Sequence, residues 1–163
     1  MTANEVAKNM GLGLNLGNTM EAYNGTNCEK ITYEWIPTIG ANTPKDYETC
    51  WGAVVTTQEV INGIKASGFD TVRIPVFWGN MMKNDGTYTI NEKYIARVKE
   101  IVDYCMNADL YAVVNIHHFD EFIIRRNSIE ECEKIFKKLW TQIAEYFKDY
   151  PCTLVFEGFN EYL

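Results

Sequence analysis

Three segments of this sequence are apolar at nearly every position, and they constrain the fold more than any other feature. They are TVRIPV (71–76), LYAVVNI (110–116) and TLVFEGF (153–159). A strand that does not alternate polar and apolar residues is covered on both faces, which is typical of a parallel sheet lying between helices. The segments begin about 40 residues apart, a spacing that suits βα units. The sequence therefore predicts an α/β fold.

Helices are predicted between these strands, because apolar residues recur there at helical spacing behind capping residues. Gly68 ends the first of three helices, and Pro151 follows the third. A shorter apolar strand, GLGLNLG (11–17), precedes them and leads into a loop from about residue 20 to residue 55. The predicted helix-start signals are the Thr56–Glu59 capping box, Asn91, and the Ser128–Glu131 capping box.

The order of elements is strand, helix, strand, helix, strand, helix, strand, which fits both a barrel and an open doubly wound sheet. The first strand lacks the G-x-G-x-x-G spacing of dinucleotide-binding folds and runs into a loop rather than a helix. This favours a (β/α)8 TIM barrel, of which four parallel strands and three helices would be present. We therefore interpret residues 1–163 as one domain, the N-terminal half of such a barrel.

Composition and charge exclude several classes of function. A net charge of −7 and a pI of about 4.9, with no basic block, argue against binding to nucleic acid or to anionic membranes. No segment approaches the roughly 18 apolar residues of a membrane span, and the N-terminus has no apolar signal-peptide core. None of the five cysteines lies in a C-x-x-C pair, so a zinc site is not predicted. No other metal and no cofactor is expected. Cys28 and Cys50 lie in one loop, where a disulfide and two separate thiols both fit the pattern.

Polar side chains occur at the carboxyl end of every predicted strand. In barrels of this type the chemistry takes place at that end of the strands, so four polar ends together predict a functional site. They are Asn15 and Asn18 for strand one, Arg73 for strand two, Asn115, His117 and His118 for strand three, and Asn160 and Glu161 for strand four.

Each of these residues also has a purely structural interpretation. Asn18 could cap a turn, and Glu161 could be a solvated terminal residue. Arg73 lies inside an apolar strand, where an unpaired charge is costly. It therefore either forms a structural ion pair or orients a catalytic carboxylate and keeps it ionised. Glu157 is a candidate for a structural acid paired within the barrel.

The adjacent histidines, His117 and His118, suggest a metal site at first sight. Neighbouring residues on a strand point to opposite faces, however, so the two rings would not share one ion. We therefore expect them to form hydrogen bonds to a polar ligand or to a carboxylate beside it.

Five motifs, taken together, resemble glycoside hydrolase family 5, most nearly its endoglucanase branch, subfamily 4. They follow the family's order and span almost the whole chain, but they cover only the N-terminal half of the catalytic domain. The motifs are GLGLNLGNTMEAY, YETCWG followed by TT, GFDTVRIPVFW, VVNIHHFD and LVFEGFNE.

The resemblance implies a retaining β-glycosidase that acts on β-1,4-linked glucans, with xyloglucan and xylan as further candidates. Such a reaction needs two carboxyl groups, and the proton donor should have a pKa raised by burial and by the second acid. The implied roles are proton donor and base for Glu161, binding of the sugar 2-hydroxyl for Asn160, support of the nucleophile for Arg73, and lining of the −1 sugar site for His117, His118 and the nearby Asn18.

Several features depart from the family pattern. The family's nucleophile is a glutamate at the end of strand seven, which this half-barrel does not include. Tyr162 replaces the usual proline after the Asn–Glu pair, and the segments HHFD and WGAV also differ. The loop contacts near those segments are therefore not predicted.

A half-barrel has two open strand edges and an uncovered interior. We expect a second copy, paired around a twofold axis, or a separate complementing chain to close the barrel. Three functions remain open: an assembled β-glucoside hydrolase, a carbohydrate-binding half-barrel with weak or no activity, and a metal-dependent barrel hydrolase that uses the histidines. The family's habit of degrading polymers predicts an extracellular location.

Overall fold

The protein forms one four-stranded parallel sheet in the order β1-β2-β3-β4. The structure, a computed structural model, describes residues 1–24 and 42–161. Consecutive parallel neighbours are the arrangement expected of the first half of a (β/α)8 barrel, so the predicted fold class is confirmed. The strands are β1 (Gly13–Asn15), β2 (Thr71–Ile74), β3 (Tyr111–Asn115) and β4 (Leu154–Glu157).

Helices precede and connect these strands. The three predicted ones are present, and Gly68 ends the first of them with a left-handed φ of +91°. The other three α-helices, one of which lies within the predicted loop, were not predicted from the sequence. The helices are α1 (Ala3–Asn9), α2 (Pro44–Thr49), α3 (Gln58–Ala66), α4 (Glu92–Asn107), α5 (Phe119–Phe122) and α6 (Ile129–Tyr146), with short 3-10 turns at Trp78–Met81 and Ile124–Arg126.

The predicted cap of α3 is wrong by one residue. Thr57, not Thr56, is the N-cap, and its Oγ1 accepts a hydrogen bond of 3.4 Å from the Val60 N–H. The Thr56 N–H instead donates to the carboxylate of Glu48 at 2.7 Å, in the interior. Thr56, which the local pattern had assigned to the helix start, therefore forms a tertiary contact instead.

The caps of α4 and α6 agree with the sequence analysis. The Asn91 side chain accepts from the Lys93 N–H at 2.9 Å, and the Ser128 hydroxyl accepts from the Glu131 N–H at 3.3 Å. Each satisfies one of the donors that a helix N-terminus leaves without an intrahelical partner.

The strand register brings polar residues to one face at the carboxyl edge of the sheet. Asn15 is paired with Arg73 across β1 and β2, and Asn115 is paired with Glu157 across β3 and β4. Paired residues in a parallel sheet project to the same side. The opposite face lies in the main core, where Val72, Ile74, Ala112 and Val114 are fully buried.

A buried ion pair joins α2 to α4. Two nitrogens of Arg97 donate to the two carboxylate oxygens of Glu48 at 2.9 and 3.0 Å, and Arg97 also donates to the Thr56 carbonyl at 2.7 Å. The side chains of Glu48 and Arg97 are 0% and 6% exposed. Glu100, half exposed, contacts the same guanidinium at 2.5 Å. This pair ties α2 and the backbone at Thr56 to α4.

Three predictions concern membranes, disulfides and the sheet edges. No helix in the described ranges has the length and apolarity to cross a bilayer. Cys28, one of the two cysteines for which both a disulfide and separate thiols were open, lies outside the described residues, while the Cys50 thiol lies 3.1 Å from the Tyr23 carbonyl oxygen. Within the described chain, the outer edges of β1 and β4 pair with no further strand.

Candidate active site

Arg73 connects the polar ends of β1, β2 and β4 on the open face. Its Nε and Nη2 donate to the two carboxylate oxygens of Glu157, both at 2.7 Å. Nη2 also donates to Oδ1 of Asn160, and Nη1 donates to Oδ1 of Asn15, both at 2.8 Å. Hydrogen bonding to Glu157, with the charges of Glu157, Glu21 and Glu161, raises the pKa of Arg73 further above its ordinary value. Arg73 is thus a fixed cation at this edge of the sheet.

Asn115 extends this network across β3. Its buried side chain accepts from the Val76 N–H at 3.0 Å and donates to a carboxylate oxygen of Glu157 at 3.2 Å. Its amide nitrogen also lies 3.3 Å from Nδ1 of His117. Hydrogen bonds from Arg73, chiefly, and from Asn115 lower the pKa of Glu157, so this carboxylate is ionised at neutral pH.

Arg73 forms an ion pair, as one of its two interpretations proposed. Its ion pair is formed with Glu157, which is therefore paired within the sheet as the sequence analysis suggested. Both side chains keep some exposure, 27% and 33%, because the face they lie on is open. Support of a nucleophile by Arg73 remains a prediction.

His117 is held as a neutral imidazole next to this network. Its backbone N–H donates to the Val76 carbonyl at 2.8 Å, which continues the β2–β3 pairing beyond the strand ends. Burial, with added repulsion from His118 and Arg73, lowers the pKa of His117 to about 4. A neutral imidazole has one donor and one acceptor nitrogen, which suits hydrogen bonding to hydroxyl groups.

The titration of His117 should make the protein less stable in mild acid. Between about pH 6.5 and pH 4 the unfolded chain protonates this residue and the folded chain does not, so stability is present above that window and falls within it. In urea unfolding between about pH 7 and pH 5, the wild type should lose stability with a slope approaching one proton more than His117→Gln. Parallel pH profiles for the two proteins would contradict this assignment.

His118 does not lie on the opposite face from its neighbour, so that prediction is wrong. The strand β3 ends at Asn115, and His118 has a left-handed backbone with φ of 57°. Its ring lies 4.7 Å from that of His117 and contacts Tyr23 and Phe77 edge-on, with centroids 5.3 and 5.5 Å apart. Strand alternation does not apply beyond the last paired residue. Among the described residues, no group of three or more His, Cys, Asp or Glu side chains is arranged to hold a metal ion.

The segment that carries Asn160 and Glu161 is anchored from outside the sheet. The Trp140 indole N–H donates to the Gly158 carbonyl at 3.0 Å, and the Asn160 N–H donates to the Ile116 carbonyl at 2.9 Å. Phe159 stacks on Phe119 with ring centroids 5.9 Å apart. Helix α6 and the residues after β3 therefore position Asn160. Trp140 was predicted only as part of the apolar face of its helix, and no local sequence signal marks it as a contact of this segment.

Glu161, the predicted proton donor, is exposed and has a φ of 31°. The burial that a proton donor was expected to have is not provided by the described residues. It would have to come from chain that covers the open face of the sheet.

Asn18 lies in a turn after β1, as one of its two interpretations proposed. It has a left-handed φ of 63°, and its N–H donates to a carboxylate oxygen of Glu21 at 2.5 Å. The Thr19 N–H donates to the other oxygen at 2.9 Å. Glu21 is only 5% exposed, so this turn is rigidly built. A role of the exposed Asn18 side chain at the sugar site stays a prediction.

Comparison with known proteins decides the family. A family model described as Cellulase (glycosyl hydrolase family 5) matches residues 32–163. The chain belongs to glycoside hydrolase family 5. Endoglucanase A of Clostridium longisporum is 44% identical over 162 residues, and endoglucanase B of Neocallimastix patriciarum is 38% identical over 161 residues. These alignments cover 98% and 99% of this chain but 29% and 32% of the two relatives.

Solved structures of glycoside hydrolase family 5 show which part of the complete barrel this chain matches. A GH5-4 broad-specificity endoglucanase from Ruminococcus champanellensis with bound cellotriose superposes with a TM-score of 0.85 at 34% identity, over 99% of this chain and 44% of that one. The GH5-4 enzyme from Clostridium longisporum superposes with a TM-score of 0.79 at 39% identity, over 98% and 42% of the two chains. The four strands match the N-terminal portion of the family's TIM barrel.

Proposed function

We propose that this chain supplies the acid/base half of a retaining endo-β-1,4-glucanase of glycoside hydrolase family 5. The observation that carries the proposal is the hydrogen-bond network at the carboxyl edge of the sheet, where Arg73 holds Asn160 next to Glu161. His117 and His118 line the same edge. We infer that this edge is one side of a sugar-binding cleft, and that residues 1–163 act as one structural unit.

In this proposal Glu161 donates a proton to the glycosidic oxygen while a nucleophilic carboxylate attacks the anomeric carbon. The bond between that carbon and the leaving oxygen breaks, and a covalent glycosyl intermediate forms. Glu161, now ionised, then removes a proton from water, which attacks the same carbon and releases the nucleophile. The two carboxyl groups of such an enzyme lie about 5–5.5 Å apart.

Glu157 is poorly suited to be that nucleophile. Both of its oxygens accept hydrogen bonds from Arg73, and one also accepts from Asn115. An attacking carboxylate needs an oxygen lone pair directed at the sugar. We therefore propose that further strands close the barrel and bring the nucleophile, whether they belong to the same polypeptide, to a second copy or to another chain.

The substrate class follows from the relatives and from the polarity of the site. One relative is named a xyloglucan-specific endo-β-1,4-glucanase, and several solved structures are described as broad-specificity endoglucanases. We propose a β-1,4-glucan backbone as the substrate of this protein. Because such polymers are too large to enter a cell, we also propose an extracellular location.

A second candidate function is binding of β-glucan without cleavage. It is favoured by one observation. This chain contains the groups proposed to contact the sugar, which are Asn160, His117 and His118, while the nucleophile is not among the described residues. A half-barrel of this kind would hold an oligosaccharide and leave it intact.

The decisive experiment joins or mixes this chain with the C-terminal portion of Clostridium longisporum endoglucanase A. Release of reducing ends from carboxymethylcellulose and xyloglucan, with each portion alone as the control, measures hydrolysis. Cellotriose binding by calorimetry measures the second function, and ultracentrifugation of this chain alone shows whether it pairs with itself. Cleavage with retention of the β-anomer supports the hydrolase; binding without cleavage favours the second candidate; inversion would refute the retaining mechanism.

A further inference from the structure

The guanidinium of Arg73 has a nearly complete set of partners within this chain. An arginine side chain has five N–H donors in a planar fork and no acceptor. Four of the five are used here: two toward Glu157, one toward Asn160 and one toward Asn15. The bidentate contact with Glu157 sets the plane of the fork, because two parallel hydrogen bonds resist rotation of the group.

This arrangement decides the orientation of the Asn160 amide. Arg73 can only donate, so the Asn160 atom that it contacts must be the oxygen, Oδ1, at 2.8 Å. The NH2 group of Asn160 is then directed away from Arg73 and is available to donate to an acceptor in the cleft. A sugar hydroxyl oxygen is an acceptor of this kind.

The backbone of Asn160 is held independently of this contact. Its N–H donates to the Ile116 carbonyl, and the preceding Gly158 carbonyl accepts from Trp140. Loss of Glu157 would therefore release the amide group without moving the segment. The groups that face Glu157 are Arg73, Asn115 and His117, and of these Arg73 alone carries a fixed charge at neutral pH.

We propose that Glu157 is a positioning residue: through Arg73, it turns the NH2 group of Asn160 toward the sugar. The inference rests on the proposed function only for the identity of the acceptor. The orientation of the amide is a property of the chain itself, and it can be measured without sugar.

The test uses side-chain NMR on the ¹⁵N-labelled 163-residue chain. In the wild type we expect a resolved Nε–H signal of Arg73 and two distinct NH2 signals of Asn160, assigned with Arg73→Lys and Asn160→Asp. Glu157→Gln should shift the Nε–H signal and move the Asn160 signals to the positions of a solvated amide. It should also weaken cellotriose binding about tenfold, the usual size of one lost hydrogen bond. Glu100→Gln removes an arginine–carboxylate pair away from the site and should change none of these readouts.

The outcomes separate this inference from the proposed function. Unchanged Arg73 and Asn160 signals in Glu157→Gln would overturn the inference, whatever the sugar does. If cellotriose shifts no signal of the wild type, the proposal that this chain binds sugar fails. The comparison of the wild type with Glu157→Gln in the absence of sugar still decides the role of Glu157. If Glu157→Gln does not fold, Arg73→Lys replaces it: a single ammonium cannot reproduce the fork, so the Asn160 signals should again move, and their persistence would overturn the inference.

Discussion

Substitution of Glu161 by Gln should lower hydrolysis of carboxymethylcellulose about 10²- to 10⁴-fold in the completed barrel, because the amide of glutamine is not acidic enough to protonate the departing oxygen. The isosteric change keeps the shape of the site, so cellotriose binding should change little. Initial rates of reducing-end release for the two proteins, at equal enzyme concentration, measure the effect.

The leaving group provides an internal check on the role of Glu161. An aryl β-glucoside with a strongly acidic phenol needs little protonation when it departs, so its glycosidic bond should break at a rate close to that of the wild type. Glu145→Gln, an exposed carboxylate on α6 paired with Lys148, is the matched control and should leave every rate unchanged. Equal losses on the polymer and in the first-turnover burst of phenol from the activated glucoside would contradict a proton-donor role, because that burst precedes the step in which Glu161 acts as a base.

Substitution of Glu48 by Gln should destabilise the fold by about 3–5 kcal/mol, because it removes the buried counterion of Arg97 and leaves only the half-exposed Glu100 beside that charge. Arg97 is 6% exposed and the Glu48 side chain is 0% exposed, so water cannot replace the lost partner. Domains of this size are stable by only about 5–15 kcal/mol, and the loss should therefore be visible as a large fall in the urea midpoint.

Glu100→Gln is the matched control for this measurement, since Glu100 contacts the same guanidinium but is half exposed. An exposed pair contributes at most about 1 kcal/mol, so this variant should unfold close to the wild type. A Glu48→Gln loss as small as that of Glu100→Gln would show that the buried pair contributes little to stability.

Local patterns predicted much of this fold. The apolar segments became β2, β3 and β4, and the caps Asn91 and Ser128 stand where the sequence placed them. These signals work because a strand covered on both faces and a capped amphipathic helix are encoded by residues close together in the chain. The α2 helix was missed because it is short and held by Glu48, whose partner Arg97 lies 49 residues away.

The candidate site could be predicted as a set of residues but not as a network. Polar residues at four strand ends located the edge of the sheet on which the chemistry was expected. The partner of Arg73 was not identifiable from local pattern, since Glu157 lies 84 residues later. Strand alternation likewise misplaced His118, because the chain leaves the strand after Asn115 and turns into a left-handed conformation.

The sequence by itself determined the four strands and three of the helices, that the sheet is parallel, and that polar residues lie at its carboxyl edge. Only the tertiary structure decided that Arg73 pairs with Glu157, that Asn160 is held by its oxygen, and that the two histidine rings lie together. The physical reason is range: periodicity and capping depend on neighbours within a few residues. A hydrogen-bond network across four strands depends on the sheet register, which exists only once the core between the helices and the sheet has formed.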